Sequence, residues 1–315
     1  MTINLTDAVF TDETKARKHL EGIRWPDGPV CPHCGEAKRV YRLAGKSHRP
    51  GLIHCNACDG SFTVTTGSVM ESSHVPLNKW VLAFRLMASS KKGMSAHQLH
   101  RTLAVTYKTA WFMAHRIREA MRDDNPTPMG GEGKIIESDE TFWGPKDKDT
   151  NPRMRARRRG KPGYGAKSKI LSLVERGGKS RSFKVADTKN DTLRTILLAN
   201  ASAASRLMTD EGTTHAVGRH FAKHETVKHG KFEYARGDVT TNTVEGFFSV
   251  FKRGMRGTYQ HCGEQHLQRY LNEFDFRYSN RIALGIDDTE RALRAIKGAA
   301  GKRLTYQPSR SAQQA

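Results

Sequence analysis

The sequence predicts a multidomain α+β protein: a small cysteine-rich ribbon, a helical segment, and an α/β sandwich around a mixed sheet. Three observations predict it. Four of the five cysteines fall in two C-x2-C pairs inside the first 58 residues. Apolar residues recur at helical spacing from Leu77 to Met121. From Lys134 onward, short apolar runs separated by turn residues give way to a helix and a further strand. A chain of 315 residues is long enough for two or three such domains.

The segment "CPHCGEAKRVYRLAGKSHRPGLIHCNACDG" sets Cys31 and Cys34 apart from Cys55 and Cys58 by twenty residues, a C-x2-C-x20-C-x2-C spacing that fits a structural zinc ion. In each pair a tight turn, helped by Gly35 and by Asp59-Gly60, aims two thiolates at one Zn2+. Four thiolates close the tetrahedron and leave no position for water, so this ion holds structure and does no chemistry. His33 and His54 are read as phosphate contacts or bystanders. The expected zinc ribbon covers residues 10–66 with a short leading helix. A region so small and polar folds only with its ion.

Residues 77–122 read as three helices, "LNKWVLAFRLMASS", "SAHQLHRTL" and "TYKTAWFMAHRIREAM", with a short turn at "AVT". This suggests a helix-turn-helix whose last helix enters a major groove and offers Lys108 and Arg116 to DNA; a plain three-helix bundle fits the periodicity equally. The ribbon before it and the charge tilt the reading toward DNA. Lysine plus arginine outnumber aspartate plus glutamate 53 to 32, giving +21 and a pI near 10.0, so a polyanion is the expected partner. The mean hydropathy is −0.66 and no apolar run is long enough to span a bilayer. The N-terminus lacks the pattern of a secretory signal. A cytoplasmic protein with no membrane partner is expected.

From Lys134 the pattern becomes strands: "KIIESDETF", then "SKILSLVER" and "SRSFKVADT" around a two-residue Gly177-Gly178 loop. The helix "NDTLRTILLANA" and the strand "SRLMTDEGTTH" follow, then segments of unclear type, among them "GRHFAKHE" with His220 and His224. The histidines are read as polar surface or DNA-facing groups. The helix "TNTVEGFFSVFKRG" buries Val244, Phe247, Phe248 and Phe251 on one stripe, bordered by a second stripe of Asn242, Glu245, Ser249 and Lys252. Asp139 and Asp210 each close a strand. If those strands are neighbours, their carboxylates stand side by side at one sheet edge, where like charges repel unless a cation sits between them. Mg2+ or Mn2+ suits such oxygen ligands, and Glu245 supplies a third carboxylate from the helix rim. Lys252, two turns on, holds a phosphate, with Arg253 beside it.

Asp139 in "ESDETFWGPK", Asp210 in "LMTDEG" with 34 residues between it and Glu245, and Lys252 seven residues after Glu245 resemble the DDE motif of bacterial insertion-sequence transposases. Together with "RWPDGPVCPHCG", "NTVEGFFSVFKRGMRGTY" and "LQRYLNEFDFRYSNR", they are most similar to the ISXO-like branch with an N-terminal zinc ribbon, over most of the chain. The resemblance implies an RNase H-like catalytic domain, placed at 130–283, with Asp139, Asp210 and Glu245 as catalytic residues and ligands of two divalent ions. It leaves Asn242 as a rival for the third position; the spacing to Lys252 favours Glu245. Two ions there activate water, or later a DNA 3′-hydroxyl, and stabilise the leaving oxygen, so one site serves both cleavage and strand transfer. Double-stranded DNA, as element ends and target, is the implied partner, on which the chain acts as a homo-oligomer. A non-catalytic DNA-binding regulator and a nuclease that cuts without joining are the alternatives.

"RMRARRRGKPGYG" puts Arg155, Arg157, Arg158 and Arg159 just after the first catalytic strand, where they are expected to close on DNA phosphates. Trp143 and Cys262 are read as packed residues, and "HLQRYLNEFDFRYSNR" as an amphipathic core helix. Residues 284–315 are expected to form a C-terminal helix and, from Gly298, a flexible tail.

Overall fold

The computed structural model describes residues 4–144, 167–210 and 218–305. The chain divides into two compact units, residues 1–122 with 287–315, and residues 123–286. The first unit opens with α1 (Glu13–Arg24), capped by Asp12, which accepts from Lys15 N at 2.8 Å. An antiparallel ribbon of β1 (Val40–Arg42), β2 (Ile53–Cys55) and β3 (Gly60–Phe62) follows. Its three strands of three residues bury Ile53, Cys55 and Phe62, with Phe62 set edge-on to Trp25 at 5.7 Å.

In α2 (Leu77–Ser89), Leu77, Trp80, Val81, Phe84, Met87 and Ala88 recur at helical spacing and all are buried. A hydroxyl opens each of the next two helices, α3 (Ala96–Leu103) and α4 (Tyr107–Ala120): Ser95 Oγ accepts from Gln98 N at 3.1 Å and Thr106 Oγ1 from Thr109 N at 3.2 Å. Between them Ala104 adopts a left-handed conformation, φ 49°, which makes the sharp helix-turn-helix connection.

The second unit is an α/β sandwich. Its strands are β4 (Ile135–Trp143), β5 (Ser168–Glu175), β6 (Ser180–Val185), β7 (Arg206–Asp210) and β8 (Lys223–Val227); its helices are α5 (Asn190–Asn200), α6 (Asn242–Gly254) and α7 (Leu267–Ser279). The sheet order is β6-β5-β4-β7-β8, with β5 antiparallel to β4 and to β6, while β7 runs parallel to β4 and β8 parallel to β7. The mixed sheet agrees with the predicted α+β class. The hairpin loop has three residues, Arg176 to Gly178, where the sequence predicts two: Glu175 N donates to Lys179 O at 2.9 Å, and Gly177 takes φ 68°. The edge strand β8 was not predicted at all; it covers His224, whose Nε2 lies 2.9 Å from Thr209 Oγ1.

Strand alternation sorts the side chains onto two faces. On one, Ile136, Leu171, Leu173 and Leu207 pack with Leu193 and Leu197 of α5. On the other, Ile170 and Val174 meet Val244, Phe247, Phe248 and Phe251 of α6 and Leu267, Tyr270, Leu271 and Phe274 of α7. Phe251 is the hub, with Trp143 at 5.9 Å and Phe274 at 5.2 Å, both edge to face. Trp143 thus belongs to the core, as predicted. Phe251→Ala is expected to destabilise this unit by about 3–5 kcal/mol, read as a lower midpoint in urea unfolding followed by hydrogen exchange in α6 and α7.

Side chains of α7 also fasten the outer strand β6. Ser182 N donates to Asp275 Oδ2 at 2.7 Å, Lys184 N to Gln268 Oε1 at 2.8 Å, and Ser180 N to Ser279 Oγ at 3.0 Å. Gln268 Nε2 donates in turn to Ser182 O at 2.9 Å.

The chain returns to the first unit as α8 (Asp288–Lys297), capped by Asp287 and packed on α2. Beyond it, the residues expected to form a flexible tail are fastened as far as they are described. Val69 N donates to Ala299 O at 3.1 Å and Gly301 N to Gly67 O at 2.8 Å. Glycine is required at 298, because a Cβ there would lie 2.3 Å from the Ala120 carbonyl oxygen.

Candidate metal centres and their surroundings

The four ribbon cysteines converge. Cys31 Sγ lies 3.7 Å from Cys58 Sγ, and Cys34 Sγ 3.7 Å from Cys55 Sγ, so each contact joins one pair to the other. A tetrahedral zinc with Zn–S bonds of about 2.3 Å needs sulfurs roughly 3.8 Å apart, so the set fits that ion. Two backbone turns build the site. Gly35 N donates to Cys31 O at 2.9 Å with Gly35 at φ 78°, and Asp59 takes φ 56° just after Cys58. His54 is engaged outside the thiolate set, with Nε2 3.3 Å from Asp59 and Nδ1 3.3 Å from Ser61 Oγ.

In the second unit the parallel pairing of β4 with β7 matches Ser138 to Thr209, so the next residues along, Asp139 and Asp210, stand side by side on the α6 face. Asp210 closes β7 as the sequence predicts, but Asp139 does not close β4, which continues to Trp143 because its pairing with β5 extends that far. Ligand oxygens of Asp139, Glu140 and Asp210 all lie within 4.8 Å of one another. Asp139 Oδ1 also accepts from Glu140 N at 2.7 Å. Burial, first, and then the negative charges of Asp210 and Glu245 push the Asp139 carboxyl up to about 7, with Lys252 pulling the other way. A buried carboxylate surrounded by like charges is the electrostatic condition that a cation relieves, and an all-oxygen donor set suits a hard divalent ion.

The remaining predicted residues fall as follows. Glu245 is exposed one turn into α6, where Thr241 Oγ1 donates to its Oε1 at 2.9 Å; it acts on Asp139 through space and is not among the three clustered carboxylates. Asn242, also exposed, is the first residue of α6. Lys252 is half-buried beside Phe248; burial holds its ammonium below the usual lysine range, and the charge of Asp139 opposes that shift. Arg253 is exposed, with Nε on Ser249 O. Lys108 is exposed in the first turn of α4. Arg116 differs from the expectation: it is buried, stacks on Phe112, and donates to Glu71 O at 3.0 Å and Leu304 O at 3.2 Å, so its charge serves the first unit internally. Arg155, Arg157, Arg158 and Arg159 lie outside the described residues.

Two residues escaped the sequence reading. The sequence signal for Glu140 is the "DE" pair that follows an apolar run, in which it reads only as the neighbour of Asp139. Glu137, fully buried on β4, accepts hydrogen bonds from the start of α6 and from Arg176. Its signal was the i, i+2 spacing to Asp139, which puts both on one face of the strand.

A mixed-sheet sandwich with carboxylates clustered across adjacent parallel strands, in a chain that also carries a four-thiolate ribbon, defines the DDE class. Comparison with known proteins agrees. Residues 130–279 match the family model of the ISXO2-like transposase domain, and residues 11–61 match that of the transposase zinc-ribbon domain. A Halobacterium salinarum protein described as an uncharacterized protein in transposable element ISH50 is 31% identical over 283 residues, covering 85% of this chain and 91% of the relative. The chain belongs to the ISXO2-like transposase family.

Proposed function

We propose that this chain binds the ends of an insertion sequence and catalyses divalent-metal-dependent DNA cleavage followed by strand transfer. The observation that carries the reading is the meeting of Asp139, Glu140 and Asp210 within 4.8 Å, midway along β4 and at the end of the adjacent parallel strand β7. Asp139, Asp210 and Glu245 hold the ions, Mg2+ or Mn2+, with Asn242 the rival for the third position. When bound, such ions supply Lewis-acid activation of water or a 3′-hydroxyl and charge stabilisation of the leaving oxygen. The chain's own residues orient the DNA. Lys252, within electrostatic reach of Asp139, holds the scissile phosphate, and Arg253, Lys108 and the Arg155, Arg157, Arg158 and Arg159 segment hold flanking phosphates. The zinc ribbon and helix-turn-helix recognise the element ends, and two copies bring two ends together in the bacterial nucleoid.

The test is incubation of the purified protein with labelled element-end DNA, a target plasmid and Mg2+ or Mn2+. Joined products support the reading. Cutting without joining identifies a nuclease, and binding without cutting identifies a regulator. The same assay decides the third ligand. Glu245→Gln is expected to lower cleavage by about 10²-fold or more and Asn242→Ala by less than about tenfold; the reverse order transfers the role to Asn242.

A further inference from the structure

Glu137 is fully buried two residues before Asp139 on β4, and both its oxygens are engaged. Oε2 accepts the backbone N–H groups of Thr243 at 2.7 Å and Val244 at 3.0 Å, in the first turn of α6. Oε1 accepts the Thr243 hydroxyl at 2.8 Å and Arg176 Nε at 2.5 Å. Arg176 donates onward to the carbonyl oxygens of Asp238 at 2.7 Å and Thr240 at 2.9 Å, in the segment that leads into the same helix. Thr241 at the N-cap position makes no side-chain cap for its own helix. The cap is delivered instead from a strand 106 residues earlier in the chain.

Burying a carboxylate is unfavourable unless hydrogen bonds and opposite charge offset it. Here a guanidinium, three further donors and the positive end of a helix do so. An apolar side chain would fill the same position without that requirement, so packing alone does not explain a glutamate. Its effect is geometric. Glu137 and Asp139 project from one face of one strand, and Glu245 follows Val244 directly on the helix that Glu137 grips. We propose that Glu137, held by Arg176, is a positioning residue that sets α6, and with it Glu245, at the level of Asp139. This rests on the metal-site reading above and extends it to a residue that touches neither metal nor DNA.

The test is Mn2+ binding to the full, zinc-loaded chain, followed by the electron paramagnetic resonance of free Mn2+, with end cleavage measured beside it. Glu137→Gln keeps the size but turns one acceptor into a donor facing Arg176. Glu137→Gln with Arg176→Met also removes the cation left behind. Both are expected to weaken Mn2+ binding by about tenfold or more, the usual effect of disturbing groups behind metal ligands, and to lower cleavage at saturating Mn2+. The double variant should recover melting temperature without recovering Mn2+ affinity; recovery of both would reduce Glu137 to a structural role and overturn the proposal. Should neither variant fold, Thr243→Val decides: it removes one of the four donors and should weaken Mn2+ binding, by less than Glu137→Gln is expected to, and native affinity in it counts against the proposal. Asp139→Asn separates the two readings. Mn2+ binding indifferent to Asp139→Asn overturns the metal site itself, whereas Asp139-dependent binding indifferent to Glu137→Gln overturns the positioning role alone.

Discussion

Asp139→Asn or Asp210→Asn is expected to abolish metal-dependent cleavage while leaving element-end binding within about twofold of the natural chain. Each change replaces a carboxylate by a neutral amide of nearly the same size, so α6 and the sheet keep their packing. What is lost is charge where Asp139, midway along β4, lies beside Asp210 at the end of β7. Electrostatic stabilisation at such a site is worth several kcal/mol, and about 4 kcal/mol corresponds to roughly 10³-fold in rate. Single-turnover cleavage of labelled end DNA measures the loss, and a gel shift in Ca2+ or without divalent metal measures binding. Appreciable cleavage by either variant removes both aspartates from the reaction. The effect should not be confused with unfolding: relieving the like-charge crowding around Asp139 should leave the metal-free protein no less stable, which a thermal melt checks.

Cys55→Ser, or removal of the zinc by a chelator, is expected to unfold the ribbon while the second unit stays intact. Cys55 is fully buried in β2, and its sulfur closes the contact to Cys34. The strands that carry it are three residues long, too short for a self-sufficient core. Structural zinc contributes on the order of 10 kcal/mol to comparable small folds, more than such a ribbon gains from burying Ile53 and Phe62. The expected result is loss of one zinc per chain by elemental analysis, hydrogen exchange confined to the ribbon, and element-end affinity weakened by about tenfold or more. End binding unchanged in zinc-free protein would remove the ribbon from recognition and leave that task to α3 and α4.

Much of this architecture was legible in the sequence because the relevant signals are local. The two C-x2-C knuckles, the periodicity within each of α2 to α4, and the apolar runs that end at Asp139 and Asp210 each lie within one short stretch of chain. So does the border stripe on α6 that carries Asn242, Glu245 and Lys252. What stayed hidden depends on pairings far apart in the chain. Arg116 resembles a DNA-facing cation on its own helix, yet it is covered by Glu71 and Leu304, which no periodicity predicts. The edge strand β8 buries Val227 and little else, so it lacks the apolar alternation that marks a strand. Residues 299–301 read as the start of a flexible tail and are instead tied to residues 67–69. Glu137 reads as one more acid in an acidic run; its partners Thr243 and Arg176 lie 106 and 39 residues away.

The fastening of β6 by α7 has a consequence for how the protein meets copies of itself. An unpaired strand margin invites the backbone of another molecule to continue the sheet, the usual route to fibrous clumping. On this margin the amide groups of residues 180, 182 and 184 already have partners in Ser279, Asp275 and Gln268. The protein is thereby shielded from sheet-to-sheet association along that side.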